Sequence, residues 1–171
     1  DNAVTLVGDI AFFTTRSGNV IAFNYEQKDI PFQKAIWRIW FQLWVWQMTT
    51  RPPDVPGWVW GNHVGAQSLG NLAIADERLF VSTLAGTLHA INSNTGTTIW
   101  EVADIGRLYS SPIVTGTTII QAGSTGNVYG FDTATGEERW KLPVDGAVIA
   151  SPILAGNTLY IPTNKGTLYA F

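Results

Sequence analysis

The sequence predicts an all-β fold built from consecutive four-stranded β-propeller blades, and three observations support this prediction. A six-residue phrase that begins at Gly86 as GTLHAI returns after 40 residues at Gly126 as GNVYGF and after 40 more at Gly166 as GTLYAF, and an earlier copy, GNVIAF, begins at Gly18. Short runs rich in β-branched and aromatic residues alternate with turns of Gly, Asn, Asp and Thr, which is typical of antiparallel strands. Four such runs fit in each period, which is the size of one propeller blade.

The unit that ends near Trp140 shows the predicted strands in order. Apolar runs cover 111–114, 118–122 and 127–131, and a turn at 132–136 leads into a fourth run from Glu138. The same order begins again at Ser151, and earlier at Asn71. The first unit has corresponding runs between Thr5 and Phe13, so we expect the chain to start near the second strand of its first blade.

The spacing of the phrases divides the chain into one propeller segment of about four blade units, with incomplete first and last blades. If Trp37 starts the outer strand of the first blade, 49 residues separate it from Gly86, whereas 26 separate Trp100 from Gly126. The surplus of 23 then lies between the outer strand of blade one and the inner strand of blade two. We therefore predict blade units at about 1–46, 68–105, 106–145 and 146–171, and an insertion at about 47–67.

The segment 37–46 is the densest aromatic part of the chain. The register of the repeat predicts a strand here, apolar on both faces and buried between blades. A helix is the competing interpretation, because it would bring Trp37, Trp40 and Trp44 onto one stripe with Phe41. If part of this segment is exposed, it is expected to contact a partner or a membrane surface.

A turn motif precedes the predicted outer strands. It reads AINSNTGTTIW from Ala90 and GFDTATGEERW from Gly130. Both copies resemble the pyrroloquinoline-quinone-type propeller repeat, A-x-D-x-x-T-G-x-x-x-W. In physical terms, the Asn or Asp accepts hydrogen bonds from turn amides, the Gly takes a positive φ, and the Trp packs between blades. The structural motif residues are Asn92, Gly96, Trp100, Asp132, Gly136 and Trp140.

The resemblance carries expectations about the ring and its function. Family members usually close with about eight blades, so we expect this chain to be an arc of a larger ring or to be completed by other segments; a closed four-bladed ring is the alternative. The repeat is similar to that of outer-membrane assembly lipoproteins. This implies a non-catalytic scaffold that binds protein partners in a larger complex and is periplasmic, outer-membrane-associated or extracellular.

Two other functions share the repeat. One is a fragment of a quinoprotein dehydrogenase, whose relatives hold pyrroloquinoline quinone on the propeller axis, often with Ca²⁺ and a vicinal disulfide. The chain has no cysteine, which removes that disulfide. The other is an extracytoplasmic sensor domain. We expect no enzyme activity, no cofactor and no metal under the scaffold interpretation, and the quinone and Ca²⁺ only under the dehydrogenase one.

The predicted insertion is the candidate binding segment, because it departs from the repeat and contains prolines and two tryptophans. We predict that Trp58, Trp60, Asn62 and His63 contact a partner protein on the face that carries the Gly86 and Gly126 turns. The competing interpretation is a loop that folds its own tryptophans back onto the propeller rim.

Composition excludes several classes of protein. Ten Lys and Arg against 13 Asp and Glu give a net charge of −3, with no basic cluster that would indicate nucleic-acid binding. The longest apolar run, 35–48, contains polar residues and is too short for a transmembrane helix. No signal-peptide pattern follows Asp1, and we expect a processed or partial product.

Overall fold

The computed structural model describes residues 4–27, 32–50 and 56–171, and in these residues it shows fifteen short strands and one helix. The strands form four antiparallel sheets, each made of strands that are consecutive in the chain. The predicted all-β architecture of repeated blades is therefore confirmed.

Each sheet is one blade. Blade one comprises β1 (Thr5–Val7), β2 (Ile10–Thr14), β3 (Asn19–Asn24) and β4 (Trp58–His63), with the helix α1 (Gln33–Val45) between β3 and β4. Blade two comprises β5 (Ala73–Ala75), β6 (Arg78–Ser82), β7 (Leu88–Asn92) and β8 (Thr98–Val102). Blade three comprises β9 (Ile113–Thr115), β10 (Thr118–Ala122), β11 (Asn127–Asp132) and β12 (Glu138–Pro143). Blade four comprises β13 (Ile153–Ala155), β14 (Thr158–Pro162) and β15 (Leu168–Ala170).

The number of strands corrects the prediction for the first blade. Blade one was expected to lack its first strand, but β1 pairs with β2 and the sheet has all four strands in the order β1-β2-β3-β4. The short run at Thr5 is the innermost strand itself. In blade four, by contrast, the described residues form three strands, in the order β13-β14-β15.

The pairing register repeats as regularly as the sequence does. Across the two middle strands of the successive blades, the facing residues are Phe12 and Ala22, Phe80 and Ala90, Ile120 and Gly130, and Tyr160 and Ala170. A register shift follows at the same place in three blades, after Ala22, Ala90 and Gly130. The small residue at this position is therefore part of the blade geometry.

The apolar cores lie between neighbouring blades. Alternation along a strand sends adjacent side chains to opposite faces of the sheet. Leu79 therefore packs in the core shared with blade one, and Phe80 packs in the core shared with blade three. In the same way, Ile119 faces blade two and Ile120 faces blade four. Each blade is stabilised by its neighbours, as in other repeat proteins.

Serine side chains add polar links between blades at the repeat distance. The Asn71 amide donates to Ser111 Oγ at 2.8 Å, and the Ser111 amide donates to Ser151 Oγ at 2.8 Å. Within the described residues, the three apolar cores join blades one and two, two and three, and three and four. At the ends of this series, Leu6 of blade one and Leu168 of blade four are 61% and 64% exposed.

The strand predicted for 37–46 is wrong, because these residues lie in and just after α1. The segment 33–45 contains no Gly or Pro, so nothing in it interrupts a helix. A strand needs a partner edge, and the free edge of β3 is already paired with β4. Helix α1 ends in a Schellman arrangement, with the Met48 amide bonded to the Leu43 carbonyl at 2.9 Å and Gln47 at φ 58°.

Candidate functional site

Strand β4 is the outer strand of blade one, and it contains all four residues that were predicted to bind a partner. Trp60 faces Ala22 across the ladder, just as Trp100 faces Ala90 and Trp140 faces Gly130. Trp60, and not Trp37, is therefore the motif tryptophan of blade one. The sequence contained a signal for this, since Trp60 precedes Gly86 by the same 26 residues that separate Trp100 from Gly126.

The extra residues of blade one form a single excursion, which we define as residues 25–57. Asn24 begins it as a motif turn, because its Oδ1 accepts the amides of Glu26 and Gln27 at 3.0 and 3.1 Å. The base of the excursion is closed by two hydrogen bonds of 2.7 Å, from the Asn24 amide to the Gly57 carbonyl and from the Gly57 amide to Gln27 Oε1. These bonds hold the two ends of the excursion together, and α1 lies between those ends in the chain. We call the bonded residues Asn24, Gln27 and Gly57 the stem of the excursion.

The predicted position of the insertion is therefore wrong. All of the surplus lies within the turn between β3 and β4, whereas 47–67 was expected to connect blades one and two. Residues 51–55 of that range, with Pro52 and Pro53, lie outside the described residues. With Trp37 in the motif position, the surplus would be divided between two loops; with Trp60 there, it forms one long excursion.

Trp60 docks blade one onto blade two. Its side chain is 7% exposed, and its Nε1 donates to the Ser93 carbonyl at 2.8 Å. The indole lies against Gly96, where a Cβ would come within 2.5 Å of Trp60 Cδ2. Gly96 also has φ 73°, which favours glycine. Both the conformation and the close approach of the ring require glycine here.

Asn62 strengthens the same contact. Its Nδ2 donates to the Gly96 carbonyl at 2.8 Å and to Thr98 Oγ1 at 3.0 Å. The equivalent positions in the other blades are Val102 and Leu142, so this polar link is specific to blade one. The side chains of Trp60 and Asn62 therefore make contacts within the propeller. For Trp60 this agrees with the competing interpretation, in which the tryptophan packs against the propeller rim.

Trp58 and His63 lie at opposite ends of β4 and are both exposed. Trp58, at 39% exposure, pairs with Phe23 beside the excursion, whereas His63 pairs with Asn19 and its Nδ1 lies 2.9 Å from Asn19 Oδ1. Of these two residues, His63 lies at the end of the sheet that carries the Gly18 turn, and Trp58 lies at the other end. The Gly18 turn of blade one corresponds to the Gly86 and Gly126 turns of blades two and three. The prediction that all four residues share the face of the Gly86 and Gly126 turns is wrong for Trp58. The role of the four residues in binding a partner stays a prediction.

The docking contact of Trp60 recurs one blade further along. Trp100 Nε1 donates to the Thr133 carbonyl at 3.2 Å. Gly136 has φ 76°, and a Cβ at this residue would lie only 2.7 Å from Trp100 Cδ2. The motif residues Asn92 and Asp132 each accept two amides of their turns, as predicted. The motif thus joins blade one to blade two and blade two to blade three.

Trp140 departs from the expectation that it is largely buried. It is 37% exposed, and among the described residues no turn glycine of a following blade lies against its ring as Gly96 and Gly136 lie against Trp60 and Trp100. The indole borders an open groove of about 560 Å³ between blades three and four. Its lining includes Leu142, Leu154, Asn157, Leu159 and Phe171.

Asp132 is the acid among the named motif residues, and the fold lowers the pKa of its carboxyl. Hydrogen bonds from the Thr135 and Ala134 amides, and then the paired Arg139 guanidinium, lower its pKa to about 2. The Asp132 side chain is 22% exposed, and the ordinary pKa of this group is 3.8. The charged form is therefore stabilised by the fold of its turn.

We expect the Asp132 carboxylate to make stability depend on pH between about 4 and about 2. The folded pKa is depressed, so the stabilisation is complete above the unfolded pKa of 3.8 and is lost as the pH falls towards 2. Asp132→Asn should flatten this part of the curve, because Asn24 and Asn92 hold the equivalent turns without a charge. Urea unfolding midpoints at several pH values would measure the effect. Parallel curves for both proteins would contradict it.

His89 occupies the position that tyrosine holds in the next blade. It faces Val81 in the ladder as Tyr129 faces Gln121, and it is 6% exposed. Burial lowers the pKa of its imidazole, and the Glu101 carboxylate, 3.5 Å from Nδ1, opposes this shift. His89 is therefore a neutral packed ring at pH 7.

Within 4–27, 32–50 and 56–171, no group of three or more His, Asp and Glu side chains is placed to hold a metal ion. Over the same residues, no helix has the length and apolar character needed to cross a membrane.

Comparisons with known proteins agree with the blade geometry. Residues 44–171 match the family model described as outer membrane protein assembly factor BamB. A curated protein of that name from Alteromonas naphthalenivorans is 29% identical over 97 residues, which are 57% of this chain and 21% of the relative.

Solved structures extend the similarity to nearly the whole fold. BamB from Moraxella catarrhalis superposes with a TM-score of 0.71 at 22% identity, over 96% of this chain and 43% of that one. The computationally designed protein Ika4 superposes with a TM-score of 0.70 at 11% identity, over 100% and 91%. The chain spans about a fifth of the curated relative and less than half of the Moraxella protein. Because the family model covers three quarters of the residues, the chain belongs to the family of the outer membrane protein assembly factor BamB.

Proposed function

We propose that this chain is a non-catalytic scaffold in outer-membrane protein assembly, which holds partner proteins of a larger complex in the bacterial envelope. The family match over 44–171 carries the proposal. The geometry supports it because the motif residues are occupied with joining blades. Trp60, Gly96, Trp100 and Gly136 make contacts between neighbouring sheets, so this repeated arrangement supports a rigid framework.

The surface offered to a partner includes the exposed side chains of β4. Trp58 and Val59 are 39% and 40% exposed on an outer strand that is held in place by Trp60 and Asn62. A large aromatic side chain on a rigid strand loses little conformational freedom on binding and often contributes strongly to an interface. We therefore retain Trp58 and His63 as partner contacts, and we assign Trp60 and Asn62 the task of supporting them.

Recovery of partner proteins tests this function. We expect Trp58→Ala to weaken capture of an outer-membrane assembly component from the solubilised envelope of the native organism by about thirtyfold, the effect of losing a hot spot of roughly 2 kcal/mol. Ile99→Ala is the matched control, because Ile99 is 44% exposed on the outer strand of blade two. Cross-linking followed by mass spectrometry identifies the captured proteins.

The outcomes separate the proposed surface from the proposed function. Equal capture by Trp58→Ala, Ile99→Ala and the wild type would remove β4 from the interface. Failure of the wild type to capture any assembly component would overturn the scaffold proposal itself. Dye-linked alcohol oxidation after addition of pyrroloquinoline quinone and Ca²⁺ would instead support the dehydrogenase interpretation.

A further inference from the structure

The α1 helix presents a large apolar surface outside the three apolar cores. It stands on the closed stem of the excursion, and the three cores contain only residues of the sheets and their connections. Its large apolar side chains are between 37% and 64% exposed, namely Ile36, Trp37, Ile39, Trp40, Phe41, Trp44 and Val45. A surface of this kind indicates an interaction site.

The distribution of side chains around α1 is strongly uneven. At 100° per residue, Arg38 and Gln42 lie one turn apart on a narrow polar stripe, and the aromatic residues form a continuous band on another side. Within that band, Phe41 stacks on Trp37 with ring centroids 5.2 Å apart and meets Trp44 at 5.7 Å. The remaining arc is filled by Ile36, Ile39 and Leu43.

Both ends of the helix enlarge the same kind of surface. At the C-terminal end, Trp46 is 63% exposed and Met48 is 71% exposed after the Schellman turn. At the N-terminal end, Phe32 is 84% exposed. Trp40 Nε1 donates to the Thr50 carbonyl at 3.0 Å, which folds the residues after the helix back beside it. The apolar surface is therefore held together as one unit.

The charge of this segment differs from that of the whole chain. Residues 32–50 include Lys34 and Arg38 and contain no Asp or Glu, although the chain carries a net charge of −3. Tryptophan is enriched where membranes meet water, and helices that lie on membranes combine aromatic and aliphatic residues with Lys or Arg. Thirteen residues span about 20 Å at 1.5 Å per residue, too short to cross a bilayer of about 30 Å.

We propose that α1 lies in the surface of a phospholipid bilayer that contains anionic lipids, with its axis along the membrane plane. Trp37, Trp40 and Trp44 enter the boundary between headgroups and acyl chains, and Arg38 stays at the level of the phosphates. The stem closed by Asn24 and Gly57 attaches the helix to the end of blade one where β3 and β4 meet. Membrane contact would thereby orient the propeller, a role beyond the proposed binding of protein partners.

Vesicle flotation of the purified 171-residue chain tests the proposal. We expect the wild type to float with vesicles of phosphatidylethanolamine and phosphatidylglycerol, and Trp37→Ser/Trp40→Ser/Trp44→Ser to lose at least tenfold in partitioning. The matched control is Ile99→Ser/Ile153→Ser, which removes exposed apolar side chains from strands of blades two and four. Arg38→Gln should lower partitioning about fivefold on anionic vesicles and much less on phosphatidylcholine.

Other results would overturn the inference. Equal flotation of the wild type and the triple variant would exclude α1 as the lipid contact, and so would absence of wild-type flotation. A tryptophan-dependent dimer in light scattering, without flotation, would assign the surface to a second copy of the chain. Because α1 lies outside the cores, we expect the triple variant to unfold at the same temperature as the wild type. Its loss of flotation would then result from the altered surface of α1 and not from unfolding. The assay contains no protein partner, so its failure leaves the scaffold proposal intact.

Discussion

Trp60→Ala is expected to lower the free energy of unfolding by about 3–5 kcal/mol, the usual cost of truncating a large aromatic residue in a core. The substitution removes an indole that is 7% exposed and that packs near Phe12 and Gly96, and it leaves the Ser93 carbonyl without its donor. Blades one and two share this core, so the loss weakens their docking. Urea unfolding followed by far-ultraviolet circular dichroism measures the change.

Trp140→Ala provides the comparison within the same chain. Trp140 occupies the equivalent strand position but is 37% exposed, and within the described part of the chain no following motif turn lies against its ring. We expect a clearly smaller loss than for Trp60, below the roughly 3–5 kcal/mol of a fully buried large aromatic residue. Equal losses at both positions would show that docking onto the next glycine turn does not account for the stability of the motif.

Gly136→Val is expected to destabilise the protein through two separate effects. At φ 76° a β-branched residue is strained, at about 1–2 kcal/mol for an L residue in the left-handed region. The new Cβ would also lie 2.7 Å from Cδ2 and Cε3 of Trp100, and overpacking of this kind costs about 1–3 kcal/mol. The unfolding midpoint in urea should therefore fall markedly.

Gly116→Val separates the two effects. Gly116 has φ 53°, and a Cβ there would meet no atom within 4 Å, so only the conformational strain remains. The loss at Gly136 should exceed the loss at Gly116 by the overpacking contribution, and Trp100→Ala should relieve that excess in the double variant. Similar losses at both glycines would show that Trp100 moves aside without cost.

Most of the blade architecture could be predicted from the sequence because it is encoded locally. Strand runs such as 118–122 and 127–131 combine β-branched and aromatic residues with turns that require Asn, Asp or Gly, and both were found as β10 and β11. The turn chemistry at Asp132 and the positive φ of Gly96 and Gly136 also follow from residue type alone. A period of 40 residues then implied stacking of identical units.

The candidate site was predicted less well, because its residues have two roles that look alike in sequence. Trp58 and Trp60 are separated by one residue, yet one is exposed and the other is buried against the next blade. Residues i and i+2 of a regular strand share a face, but the register shift between Ala22 and Phe23 interrupts this alternation between Trp60 and Trp58. The sequence gives no sign of this irregularity. Asn62 was predicted as a partner contact, which stays a prediction, and its bonds to Gly96 and Thr98 within the propeller could not be read from the sequence.

The sequence by itself determined the all-β class, the repeated blade and the Gly and Trp positions of the motif in blades two and three. Only the tertiary structure decided which tryptophan belongs to the motif of blade one and whether 37–46 is a strand or a helix. Either Trp37 or Trp60 could supply the motif tryptophan of a strand beside β3. The free edge of β3 can pair with only one such strand. The strand with Trp60 pairs with this edge because Trp60 also gains the contact with Gly96 and the hydrogen bond to the Ser93 carbonyl. The aromatic segment around Trp37 forms α1, in which its backbone amides and carbonyls bond to one another.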